Sequence, residues 1–185
     1  MASSARVEAK PVEPSLLLSA EALYRQNYAF VWRNARRLGA GDDWVDDAVH
    51  EVFLVATRRL AEFEGRSSPQ TWLFAITFRV VQRLRRDRAR QQQQTERFAR
   101  EVGSPVANAA DENEAAQYLR HLLSLLPDAQ RVVLILAELE GFTSAAIAES
   151  LGVPAGTVDS RLRAARAQLA RLIERERVRD ERWNK

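Results

Sequence analysis

Residues 141–173 read GFTSAAIAESLGVPAGTVDSRLRAARAQLARLI, and the rest of the chain takes its meaning from this stretch. The spacing predicts a short helix from about Thr143 to Leu151, a tight turn and a longer basic helix. Thr143 can cap orphan N–H groups of the first helix, whose apolar face holds Ile147, Ala148 and Leu151. Gly152 ends that helix, because glycine takes the left-handed conformation without strain, and Pro154 cannot extend a helix but can open the next. In the second helix Val158, Leu162, Ala165, Leu169 and Leu172 recur at steps of three and four, forming one stripe. The opposite side carries Thr157, Ser160, Arg161, Arg163 and Arg166, donors suited to phosphates and base edges when a helix lies in a major groove. A helical hairpin with a solvated arginine face has the same spacing, so the remaining chain must decide.

At 185 residues the chain is long enough for one domain or two small ones, and 46% apolar residues suffice for helical cores. Lys plus Arg number 28 against 25 for Asp plus Glu, a formal charge of only +3. The pI is nevertheless about 9.8, because arginine, which stays charged, supplies nearly all the cations. Basic residues crowd into 79–100 and 161–182 and acidic ones into 42–51 and 111–114, a polarity that points to two kinds of partner. With no cysteine, disulfides and thiolate metal sites are excluded, which agrees with a reducing cytosol. No apolar run approaches the roughly 20 residues of a membrane span, and residues 1–14 lack the apolar core of a secretory signal. The expectation is a cytoplasmic protein with no membrane insertion.

Residues 1–14 read as a disordered lead. A first helix is expected from Ser15 or Ser19, with Leu16, Leu23, Tyr24, Phe30, Val31 and Leu38 on its apolar side, ending at Gly39-Ala40-Gly41. Asp42 or Asp43 is placed to cap a second helix that buries Val45, Ala48, Val49, Val52, Phe53 and Ala56. Asp43, Asp46, Asp47, His50 and Glu51 collect on its other side. Such a face is a solvated surface, a dock for a basic partner, or a carboxylate site for acid–base or metal chemistry. No second ligand cluster, glycine-rich phosphate loop or partnered nucleophile accompanies it. After a loop at 63–69, Ser68 and Pro69 open a third helix with Leu73, Ile76, Val80 and Leu84 inward. Arg79, Arg83, Arg86 and Arg90 run along its outer side, a stripe of like charge whose natural neutralising partner is a polyanion. Phe63, Trp72 and Phe74 lie beside it. Aromatics next to cations stack unpaired bases in single-stranded nucleic acid, though Trp72 and Phe74 also read as plain core residues.

Residues 91–112 hold a glutamine run, a Gly-Ser-Pro break and an acidic patch, and read as a linker, helical at first and flexible after Gly103. A helix at about 113–125 comes next, with Ala116, Leu119, Leu122, Leu123 and Leu126 apolar. Pro127-Asp128 then restarts the chain into a strongly apolar helix that ends before Gly141. A helix–turn–helix alone is too small to bury a core, so these two helices belong with it. The fold class is therefore all-α: two small helical domains at 15–90 and 113–175, joined by a flexible linker, the second a four-helix domain with a helix-turn-helix. A charged tail closes the chain at 176–185.

The combination resembles a bacterial sigma factor of the extracytoplasmic-function (ECF) group. DDWVDDAVHEVFLVA (42–56), FEG (63–65), TWLFAI (71–76) and RLRRDRAR (83–90) carry the resemblance in the first half. LLPDAQRVVLIL (125–136) and EGFTSAAIAESLGVPAGTVDSRLRAARAQL (140–169) carry it in the second. The sequence departs from the family pattern at His50, usually Gln, at Arg79, usually Asn, and at Ser144-Ala145-Ala146, usually a Tyr-Glu-Glu-like trio. Asp159 and Ala164 stand where Lys and Arg are usual. The resemblance implies docking on core RNA polymerase through Asp43, Asp46, Asp47, His50 and Glu51. It implies recognition of the melted −10 element through Phe63, Arg66, Ser67, Trp72, Arg79, Arg83 and Arg86. The duplex −35 element would be read through Thr157, Asp159, Ser160, Arg161 and Arg163, with Arg166 on phosphate. It implies promoter DNA and an anti-sigma factor as further partners, a monomer when free of them, and no catalytic residue, metal or cofactor. Two other classes fit parts of the chain: an autonomous helix–turn–helix regulator acting without polymerase, and a helical adaptor whose arginine faces are merely solvated.

Overall fold

The computed structural model describes residues 19–65, 67–98 and 114–183. Among the described residues the regular structure is helical: α1 (Ala20–Arg37), α2 (Val45–Arg58), α3 (Pro69–Phe98), α4 (Glu114–Ser124), α5 (Asp128–Leu134), α6 (Ser144–Leu151) and α7 (Ala155–Trp183). A 3-10 turn at Leu60–Glu62 succeeds α2, and α5 runs directly into a π turn at Ile135–Leu139.

Helices α1, α2 and α3 pack on one another. Ser19 caps α1, its hydroxyl accepting from the Ala22 N–H at 3.0 Å. In α2 the buried set is Val45, Ala48, Val49, Val52, Phe53 and Ala56, the stripe predicted from spacing. The start of α2 differs from expectation: neither Asp42 nor Asp43 caps it. Trp44 stands at the N-cap without a side-chain bond, while Asp42 pairs with the buried Arg36 and Asp43 with Arg88. A charge-assisted bond to a guanidinium outcompetes one to a solvated N–H. At α3, Ser68 Oγ accepts from the Thr71 N–H at 3.1 Å, and Leu73, Phe74, Ile76, Val80 and Val81 are buried.

As expected of a linker that begins helical, α3 continues past Arg90 through the glutamines to Phe98, thirty residues or about 45 Å of rod. Gln, Arg and Glu are good helix formers, and no glycine or proline intervenes before Gly103. The later part of the linker, 99–112, lies outside the described residues, as do the lead at 1–14 and Arg66.

In the second half α5 and α6 both pack on α7, with Leu122, Leu123, Leu126, Val132, Val133, Ile135, Leu136, Ile147, Val158, Leu162 and Ala165 buried. Ala116, expected on the apolar face of α4, is exposed. At its far end α7 runs on to Trp183, past the point where a separate tail was expected, with an Arg177–Glu174 pair at 3.0 Å on its surface.

The two halves are docked: α3 packs on α6, α1 meets α4, and the buried residues of both run into one apolar cluster. Several polar ties cross the seam among the described residues, one of them from Arg131 Nη1 to the Leu38 carbonyl at 3.5 Å. The Glu140 side chain, only 6% exposed, receives Arg33 through Nε at 3.2 Å and Nη2 at 3.0 Å, and also pairs with Arg37. Burial draws the Arg37 guanidinium below its ordinary pKa, and the Glu140 carboxylate works against that shift. Asp128 accepts from Arg85 at 3.1 Å and Gln82 at 3.2 Å, and Ser150 Oγ donates to the Thr71 carbonyl at 3.1 Å.

Candidate polymerase and nucleic-acid interface

The helix–turn–helix is built by local chemistry. Thr143 Oγ1 accepts from the Ala146 N–H at 3.2 Å, and Gly152 sits at φ 64°, ψ 38°, the left-handed geometry its position requires. Val158, Leu162 and Ala165 anchor α7 inward. That rotation leaves Asp159, Ser160, Arg163 and Arg166 exposed and Thr157 and Arg161 half-buried, six side chains along one helix. Several already have partners. Ser144 Oγ donates to Asp159 Oδ1 at 2.7 Å, Ser160 Oγ donates to the Thr157 carbonyl at 3.0 Å, and Arg166 Nε donates to Glu138 at 2.8 Å.

Asp43, in the turn before α2, is exposed, as are Asp46, Asp47 and His50 on the side of α2 away from its buried stripe, where Glu51 is half-buried. Asp46 accepts from the Trp32 indole at 3.2 Å. Beside the carboxylates lies an apolar patch that periodicity alone does not single out. Tyr24, expected on the apolar side of α1, is exposed at the edge of its buried stripe, as are Tyr28 and Leu54, with Tyr24 tilted against Phe53 at 4.7 Å and against Tyr28 at 5.4 Å. Burial, then the Asp46 carboxylate and Tyr24, push the Tyr28 phenol above its ordinary pKa. The available signal is Leu54: a large apolar residue off the buried stripe of an otherwise regular amphipathic helix.

The arginine stripe is less isolated than its sequence implies. Arg83 pairs with Glu51, and Arg88 reaches Asp43 at 3.5 Å and Asp47 at 3.7 Å with its guanidinium 4.9 Å from the Trp44 ring centre. The carboxylates of α2 therefore already neutralise part of the charge that pointed to a polyanion, because α2 and α3 lie side by side. Arg79 and Arg86 remain exposed on the outer side of α3. Phe63 and Trp72 are half-buried and tilted 45° with centroids 5.1 Å apart, and Ser67 is half-buried nearby in sequence. Phe74 is fully buried, so of Trp72 and Phe74 only Trp72 offers an accessible face.

Among the described residues no helix is long and apolar enough to cross a membrane. The Sigma-70 region 2 family matches residues 23–91, and the Sigma-70, region 4 family matches residues 116–169. The ECF RNA polymerase sigma factor SigM of Mycobacterium tuberculosis is 32% identical over 152 residues, covering 82% of this chain and 75% of that protein. The RNA polymerase sigma factor HrpL of Pseudomonas syringae pv. syringae is 33% identical over 146 residues, covering 75% and 78%. Among solved structures, the sigma factor RpoE of Bartonella quintana, in complex with the anti-sigma factor NepR, matches with a TM-score of 0.63 at 25% identity, over 82% of this chain and 96% of that one. CnrH, solved with the cytosolic domain of CnrY, matches in fold with a TM-score of 0.63 at 23% identity, over 84% and 87%. An autonomous regulator is not favoured, since it leaves the region 2 half without a role. The chain belongs to the ECF sigma factors, proteins that associate with RNA polymerase and direct promoter-specific initiation of transcription.

Proposed function

We propose that this sigma factor grips core polymerase through Asp43 in the turn before α2 and the face of α2 that holds Asp46, Asp47, His50 and Glu51. Tyr24, Tyr28 and Leu54 supply the apolar centre of that contact and the carboxylates its charged rim. One observation supports this most strongly. Carboxylates and exposed aromatics stand together on the side opposite a fully buried stripe, a surface that DNA binding has no use for. Promoter contact belongs to two other places. Phe63, Arg66, Ser67 and Trp72, with Arg79, Arg83 and Arg86, hold the melted −10 strand by stacking and phosphate pairing. Thr157, Asp159, Ser160, Arg161 and Arg163 of α7 read the −35 duplex, and Arg166 exchanges Glu138 for a phosphate.

The −10 and −35 elements lie about 25 base pairs apart, roughly 85 Å along a duplex. Contact with both requires the halves to separate, because Ser150 is hydrogen-bonded to Thr71 in the docked arrangement. The domains at 15–90 and 113–175 act as two grips, and the linker lets them part. The protein works in the cytoplasm, as a monomer when free, and performs no chemistry of its own. The Bartonella quintana relative is seen with an anti-sigma factor, and an anti-sigma factor is the regulatory partner proposed here. The test is the double substitution Asp46→Lys, Asp47→Lys in the full chain. It should weaken core polymerase binding at least about tenfold while leaving the affinity for an isolated −35 duplex unchanged. Equal core affinity would remove the assignment of this face.

A further inference from the structure

Asp159 is an unexpected residue for a DNA-facing helix, since a carboxylate near the phosphate backbone is repelled by it. It stands in the second turn of α7, where the recognition helix of a helix–turn–helix meets base edges. It is also held. Ser144, the first residue of α6, donates from Oγ to Asp159 Oδ1 at 2.7 Å, across the turn between the two helices. That length is ordinary for a hydroxyl donating to an oxygen acceptor. The hydroxyl spends its only hydrogen there, while the carboxylate keeps acceptor capacity on its second oxygen. Ser160, the next residue, donates its hydroxyl hydrogen back to the Thr157 carbonyl. Both short side chains at this turn thus present acceptors outward.

We propose that Ser144 is a positioning residue that fixes Asp159 to accept a hydrogen bond from the amino group of a cytosine at one position of the −35 element. This rests on the assignment of α7 to the −35 duplex. In the major groove cytosine offers the N4 amino donor, whereas guanine N7 and O6 and thymine O4 are acceptors that a carboxylate repels; adenine offers a donor only beside an acceptor. Fixing the rotamer beforehand lowers the ordering cost on binding, and holding one oxygen on Ser144 turns the other toward the groove. Ser144 touches no base in this arrangement and acts only through Asp159.

The experiment is transcription by core polymerase with the full-length chain on a promoter pool randomised at the −35 element, read by sequencing the transcripts. For the parent chain one position should prefer cytosine. Asp159→Ala should reduce that preference about tenfold, the scale of one mismatched base pair. Asp159→Asn, which can bond N6 and N7 of adenine, should move the preference toward adenine. Ser144→Ala should reduce the cytosine preference roughly three- to fivefold at the same position only, and Ser144→Thr, which keeps the hydroxyl, should restore it. A uniform loss across all positions with Ser144→Ala, together with a lowered melting temperature, would make the bond a mere brace between α6 and α7 and overturn the proposal. So would an unchanged preference in Asp159→Ala or failure of Ser144→Thr to rescue. If transcription shows no dependence on any −35 base, the assignment of α7 itself fails, a result distinct from loss of the Ser144 effect alone.

Discussion

Arg131 is a cation that reads as surface in the sequence and is only 4% exposed in the fold. Its guanidinium donates to the carbonyls of Leu123 at 2.7 Å, Ser124 at 3.1 Å and Leu126 at 2.8 Å, and pairs with Asp128 at 3.1 Å. The last carbonyls of a helix have no partner within it, and here one side chain satisfies the end of α4 and the turn into α5 together. Burial lowers the Arg131 pKa, and the Asp128 carboxylate opposes that shift. Replacing Arg131 with Ala should cost about 2–4 kcal/mol, read as a lower midpoint in denaturant unfolding of the full chain. Lysine should rescue little of it, since one ammonium cannot fork across three carbonyls. Nothing in the spacing marks this residue, because its role depends on where the α4–α5 turn folds back. By contrast Val158, Leu162 and Ala165 are legible from their steps alone, since a stripe is a property of one helix.

The helix–turn–helix shows how far local chemistry determines an element. Thr143, Gly152 and Pro154 are readable as cap, stop and restart because each acts on its own backbone neighbourhood. At Gly152, φ is 64° and an added Cβ would meet nothing within 4 Å, so a substitution there is penalised by backbone conformation alone. Gly152→Ala should therefore destabilise the chain by about 1 kcal/mol, while Gly152→Asn, better tolerated in that region, should cost about half as much. Thermal unfolding of the two variants measures the difference, and equal costs would show that packing, not backbone conformation, governs the site. The start of α2 departs from its sequence reading for the opposite reason. Its expected capping aspartates answer to Arg36 on α1 and Arg88 on α3, which are neighbours only after three helices assemble. For the same reason the arginine stripe of α3 looks unpartnered in the sequence, although α2 and the turn before it supply Glu51, Asp43 and Asp47 to it.

At the scale of the whole molecule, the all-α class and both domain cores follow from apolar periodicity, but the docking of the halves does not. Glu140 precedes a glycine and reads as an ordinary helix-end carboxylate, yet it closes the seam against Arg33 and Arg37, more than one hundred residues earlier. Breaking a fully buried pair costs roughly 3–5 kcal/mol. Arg33 is 45% exposed, so Glu140→Gln should weaken the docking by a smaller amount, about 1–3 kcal/mol. Small-angle scattering of that variant should give a larger radius of gyration with unchanged helical circular dichroism, whereas an unchanged radius would show that apolar contact between α3 and α6 suffices to hold the halves. On the proposed two-grip reading the same seam opens when one promoter is held at both elements, which makes the polymerase-bound state the decisive one. The most direct measurement is reconstituted transcription from a genomic fragment library with purified core RNA polymerase, with and without this chain. Transcripts that begin at discrete sites sharing one upstream pair of elements, and only when the chain is added, are the predicted result. Specific binding of the chain to those sites without polymerase, and no specific start with it, would contradict its role as a sigma factor.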